Sequence, residues 1–142
     1  MKTKESEDKK LRKLKMTFGE EQIFATLLED KAPGTIAALE KVLPYEARMH
    51  HAKICENEVF CRVPAEYDKK ENPEYSVPGH ISFFNFRQTV CLWYGDMKPL
   101  GYSNLFATVD EEYMPRLAQI CEAIWKKQGE IVRLEFVEVP EV

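Results

Sequence analysis

Two adjacent histidines, His50 and His51, stand in the stretch MHHAKIC, and Cys55 follows four residues after His51. An imidazole near a thiol is the make-up of a cysteine nucleophile with its base, which must lie within hydrogen-bond reach of each other. On a regular strand, positions 51 and 55 share a face, but their Cα atoms are about 13 Å apart. The pair meets only if the chain turns at Cys55. A metal site would draw on His50, His51, Cys55 and Cys61. Neighbouring strand residues point to opposite faces, so at most one histidine could ligate, and the spacing matches no known zinc pattern. No metal and no cofactor is expected. His51 paired with Glu58 is a third option, that of a base and acid for an enzyme.

Binding is the fourth chemistry. Phe83, Phe84, Phe86, Trp93 and Tyr94 come from two adjacent apolar runs, with Arg62, Asn85 and Arg87 available as polar contacts. Ligand pockets are largely apolar with a few convergent polar groups. A barrel core explains alternate aromatics, but not aromatics on both faces at Phe83-Phe84 and Trp93-Tyr94. Three readings stay open: core alone, a ligand groove, or burial against a sister subunit in a homodimer. The candidate ligand-binding set is His51, Glu58, Phe60, Arg62, Phe84, Arg87, Tyr94 and Asn104, for a small anionic or peptide-like ligand.

These residues need a scaffold, and hydrophobic periodicity supplies one. Leu14, Met16 and Phe18 alternate with polar residues as in a half-buried strand, and Gln22–Glu29 follows after the turn at 19–21. Pro33 suits a first helical turn; Ile36, Leu39, Val42 and Leu43 then share a face, and Pro44 ends a helix over 33–43. Strands are predicted at Arg48–Ile54, Glu58–Val63, His80–Phe86, Thr89–Tyr94, Leu105–Val109 and Ile131–Val139. Between them, PAEYDKKENPEYSVP (64–78) has no apolar period and reads as a long surface loop. Asp110 opens a second helix over 111–128, whose stripe is Leu117, Ile120, Cys121, Ile124 and Trp125. The expected class is mainly β with two helices, a barrel or strongly bent sheet with helices over its ends.

At 142 residues the chain suits one domain. Residues 1–15 hold seven Lys/Arg against three acids, a local +4 that leaves −8 on the rest of a chain whose total is −4. Mixed signs and no aromatic make residues 1–12 a disordered, solvated arm, with the folded domain at 13–142. The acidic body argues against a nucleic-acid partner. No apolar run has the length of about 18–20 residues that crosses a bilayer, so no membrane partner is expected. Four cysteines without C-x-x-C spacing and without a visible secretory signal point to reduced thiols in the cytoplasm.

LLEDKAPGTIAALEKVLP (27–44), HAK (51–53), YSVPGHISFF (75–84), LWYG (92–95) and NLFATV (104–109), in that order, resemble an uncharacterised family of small bacterial and archaeal cyclophilin-like proteins. The resemblance spans most of residues 14–138 and implies a closed barrel of about eight strands capped by helices near 33–43 and 111–128. In the isomerases of this fold, an Arg after a His on the third strand polarises the prolyl amide. Here Ala52 follows His51, and His51 follows His50, so neither register supplies that Arg. Nor does the Phe-Met-x-Gln segment follow. Rotation about the amide needs a fixed donor near the proline nitrogen. The resemblance therefore implies a cyclophilin-like barrel that is not an efficient peptidyl-prolyl isomerase, and the aromatic groove makes a small-ligand-binding barrel the preferred reading. A weak isomerase, another enzyme using His51, and an oligomeric interaction protein are the alternatives.

Overall fold

The computed structural model describes residues 10–52, 57–73, 77–95 and 103–140. Eight antiparallel strands close into a barrel: β1 (Lys10–Phe18), β2 (Glu21–Leu27), β3 (Tyr45–His51), β4 (Glu58–Arg62), β5 (His80–Phe84), β6 (Thr89–Trp93), β7 (Asn104–Val109) and β8 (Glu130–Pro140). Their order around the barrel is β1-β2-β7-β5-β6-β4-β3-β8, and β8 pairs with β1 to remove both edges. Helix α1 (Pro33–Glu40) follows β2, and helix α2 (Met114–Lys126) precedes β8. No described helix is long and apolar enough to cross a membrane.

Register decides which side chains enter the barrel. Inner rungs run His51–Val59–Leu92–Ile81–Ala107 and Met49–Cys61–Val90–Phe83. Apart from His51 these are apolar and buried, joined by Leu14, Met16, Ile23, Phe106, Val132 and Leu134. Burying such side chains contributes roughly 1.5–3 kcal/mol each. Outer rungs across β4, β6 and β5 run Glu58–Trp93, Phe60–Cys91–Ser82 and Arg62–Thr89–Phe84.

Three elements differ from their sequence-based bounds. β1 begins at Lys10, so the end of the stretch assigned to a disordered arm, Lys10–Arg12, is strand paired with Glu138–Pro140. Arg12 occupies the inward parity of Leu14 and Met16, and a charge there breaks the apolar alternation. It is accommodated at the barrel rim, where the guanidinium bonds Glu29 (3.0 Å from Nε) and Glu40 of α1 (2.6 Å) and lies over the Phe136 ring. Helix α1 stops at Glu40, and Val42 and Leu43 both donate their N–H to the Leu39 carbonyl in a tightened last turn. The second helix starts as a 3-10 turn, Glu111–Tyr113, because Pro115 has no N–H for the Glu111 carbonyl; Met114 N–H bonds it instead. Asp110 is no side-chain cap: its carboxylate takes the Thr26 hydroxyl (2.7 Å) and pairs with Lys13. Of the predicted α2 stripe, Leu117, Cys121 and Ile124 are buried, whereas Trp125 is half-exposed.

Candidate functional site

The eight candidate residues fall in separate places. Arg62 and Phe84 share an outer rung through Thr89, and Arg87 follows in the 3-10 turn Asn85–Arg87 after β5. Phe60 lies one rung away, its ring against His50 of β3. Glu58 lies one rung further, buried beside Trp93. His51 points inward, on the face of Val59 and opposite to that of Glu58, so the sheet keeps a His51–Glu58 base and acid apart. Tyr94 follows β6 and meets His51. Cys55, proposed as a nucleophile beside His51, lies outside the described residues, as does the side chain of Phe86.

Around Arg62 and Arg87 the chain forms a cleft of about 610 Å³, lined also by Glu66, Tyr67, Asp68, Lys69, Asn85 and Gln88. Residues 64–73 make its second wall. This segment was expected to be an aperiodic loop, yet Val63, Ala65 and Tyr67 alternate as buried or half-buried positions between exposed ones. Two side-chain amides fix it to the turn: Asn85 Oδ1 accepts the Tyr67 N–H (3.1 Å), and Gln88 Nε2 donates to the Ala65 carbonyl (3.1 Å). At its far end Asn104 holds it. The Asn104 Oδ1 accepts the N–H groups of Glu71 (2.8 Å) and Asn72 (2.9 Å), and Nδ2 donates to the Lys69 carbonyl (2.8 Å). Asn104 was a candidate ligand residue; its buried amide is spent on the segment that builds the cleft.

The same segment ties to α1 through Glu71. One carboxylate oxygen accepts the Thr35 N–H (2.9 Å) and hydroxyl (2.8 Å); the other accepts the Gly34 N–H (2.8 Å) and the Tyr67 hydroxyl (3.0 Å). Helix α1 has Ala32 at its N-cap position and no acid in its first turn. A carboxylate from 36 residues away therefore satisfies its free N–H groups and its positive end. Burial alone would raise the Glu71 pKa, but the four hydrogen bonds outweigh it and hold the carboxyl below its ordinary value. Gly34 leaves room for the Tyr67 ring, since a Cβ there would collide with the ring edge and hydroxyl. We expect Gly34→Ala to cost about 1–2 kcal/mol by displacing Tyr67. In a double-mutant cycle of chemical unfolding, Tyr67→Ala should relieve most of that cost. Additive effects of the two substitutions would refute the contact as its cause.

The second grouping is at the α2 end of β3. His51 Nδ1 donates to the Ala52 carbonyl (3.1 Å), which fixes the tautomer, and Nε2 accepts the Tyr94 hydroxyl. The ring packs edge-on against Tyr94 and Trp125, with centroids 5.5 and 4.7 Å away. Gln128 Oε1 accepts the His51 N–H (2.9 Å). Burial lowers the His51 pKa, against smaller opposing effects of the Ala52 carbonyl and Glu122, so the imidazole is held neutral. Burial likewise raises Tyr94, with Cys121 and Glu122 adding to it. Both ring nitrogens are engaged inside the protein. Burial pushes the Cys61 and Cys121 thiols up to about 12, which removes both as nucleophiles at neutral pH. Among the described residues, no three His, Cys, Asp or Glu side chains gather to hold a metal ion.

The closed barrel with its two helices is matched by a sequence comparison: the profile described as "Cyclophilin-like" fits residues 12–126. The chain belongs to the cyclophilin-like family. A comparison with curated proteins finds no match. Among solved structures, this cyclophilin-like barrel is similar to McbB, solved in complex with tryptophan, with a TM-score of 0.75 and 20% identity. The match covers 87% of this chain and 44% of McbB, so the barrel spans less than half of that protein. It is also similar to the hypothetical protein AF2241 from Archaeoglobus fulgidus, with a TM-score of 0.66 and 20% identity over 89% of this chain and 94% of that one. At such identities these structures speak for the fold.

The sequence missed Glu66, Tyr67, Asp68, Lys69, Gln88 and Glu71. The Val63–Ala65–Tyr67 alternation was the available signal for the first of these. The link between Glu71 and α1 left none, because a helix cap supplied from far along the chain has no local spacing.

Proposed function

We propose that this cyclophilin-like protein is a small-ligand-binding barrel that holds a carboxylate-bearing molecule in the cleft between β4, the 85–87 turn and residues 64–73. One observation carries the reading. Arg62 and Arg87 both line the cleft, and neither guanidinium has an ion-pair or hydrogen-bond partner among the described residues. The other described arginines have partners: Arg12 pairs with Glu29 and Glu40, Arg116 with Glu21, Arg133 with Glu46 and Glu135, and Arg48 donates to the Gly129 carbonyl. Guanidinium recognises a carboxylate through paired, charge-assisted hydrogen bonds. The cleft volume falls in the range of small-molecule sites, about 300–1,000 Å³. Tryptophan, with which the similar McbB was solved, is itself a carboxylate. The missing third-strand Arg and the internal engagement of His51 turn the reading away from efficient prolyl isomerisation.

Thermal-shift and calorimetric titration with plain monocarboxylates (butyrate, benzoate, 3-phenylpropionate) test it, since a ligand of the native state raises the melting temperature by mass action. Arg62→Ala and Arg87→Ala should each weaken binding about tenfold, a change of roughly 1.4 kcal/mol. If no carboxylate or amino acid binds, or if the double variant binds as tightly as the wild type, the reading fails.

A further inference from the structure

The cleft that faces a carboxylate with Arg62 and Arg87 also carries two carboxylates of its own. Glu66 and Asp68 are two residues apart on a segment that alternates, so they share one side of it, flanking the half-buried Tyr67. Lys69 adds a third cation. None of these five charged side chains pairs with another described residue, although both signs line one cavity of about 610 Å³. Their separation is fixed from both sides, by the Asn85–Tyr67 and Gln88–Ala65 hydrogen bonds that hold the segment across from the turn. Opposite charges kept in one cleft, yet not collapsed onto each other, are arranged for a molecule that bears both.

Building on the carboxylate reading of this cleft, we infer that its ligand is a free α-amino acid, with the carboxylate on Arg62 and Arg87 and the α-ammonium on Glu66 and Asp68. A plain dicarboxylate or inorganic phosphate would meet the two acids at close range, and a polyamine would meet the three cations. Each wrong ligand is disfavoured by like charge as well as by the lost partner.

The test titrates the full chain with each of the twenty free L-amino acids by thermal shift and calorimetry. It continues with the des-amino and decarboxylated counterparts of the tightest of them. The same compounds are run against Glu66→Gln/Asp68→Asn, whose positions are exposed and whose melting temperature reports its folding. We expect the amino acid to bind about tenfold more tightly than its des-amino acid. In the variant the two affinities should converge to within about twofold, chiefly because the des-amino acid binds better. If the des-amino acid binds the wild type as tightly as its parent, or if the preference survives in the variant, the inference is overturned while the carboxylate reading stands. Amino-acid binding that is indifferent to Arg62→Ala/Arg87→Ala overturns both, because the ligand then sits elsewhere.

Discussion

Glu71→Ala should lower the unfolding free energy by about 3 kcal/mol. Four donors lose their acceptor at once, and one of them, the Thr35 hydroxyl, is on a residue with 0% exposure. The N–H groups of Gly34 and Thr35 belong to the first turn of α1, where no helical carbonyl can replace the carboxylate. Glu71→Gln should fall between, since an amide oxygen accepts from some of these donors while its NH₂ opposes others. The acid dependence follows from the lowered pKa. Glu71 contributes fully above the ordinary carboxylate value of 4.5, and its contribution is lost as pH falls through the lower value of the folded state. Urea unfolding followed by circular dichroism at pH 7 and pH 4 measures both effects. A Glu71→Ala variant within 0.5 kcal/mol of wild type at pH 7 would mean that water replaces the carboxylate at little cost.

Tyr67 joins this cap to the cleft, so the same substitution should also weaken any ligand held there. Its hydroxyl bonds Glu71, and the residue is part of the cavity wall. The helix cap and the cleft wall thus share one side chain.

The barrel was legible because its strands obey period two wherever they are half-buried. Leu14, Met16 and Phe18, or Val59 and Cys61, alternate with polar or outward residues, and register then follows from which face is apolar. Legibility ended where a charge took an inward position. Arg12 ended the predicted first strand early because only its distant partners Glu29 and Glu40 make that position tolerable. Trp125 shows the reverse case: it obeys the helical period, yet at the end of α2 it reaches past the barrel rim and packs one edge on His51. Within the candidate site, Arg62 and Arg87 were found through their residue type beside aromatic runs, and the fold does bring them to one cleft. His51 was singled out because His51-Ala52 matches the family pattern. Strand parity turned it inward, away from that cleft, a consequence of register with β4 that no local motif expresses.

His51 should therefore act on stability in a pH window of its own. The folded state favours the neutral imidazole, so below the ordinary value of 6.5 the unfolded chain takes up the proton more readily. Stability from this group is complete above pH 6.5 and declines as pH falls towards the lowered value of the folded state. Glu71 begins to act only below 4.5, so the two contributions separate between pH 6.5 and 5. His51→Ala should cost about 3 kcal/mol at pH 7.5, because it empties a buried site beside Trp125 and removes the acceptor of the Tyr94 hydroxyl. His51→Phe keeps a ring against Trp125 and should cost about 1–2 kcal/mol, while its stability stays flatter than that of wild type from pH 7.5 to 5. Unfolding in guanidinium at pH 7.5, 6 and 5 distinguishes these variants. An identical slope with pH in wild type and His51→Phe would place the acid sensitivity elsewhere. The expected difference in slope would make His51 a support of the barrel's α2 end, on the inner face of β3 and apart from the cleft that Arg62 and Arg87 line.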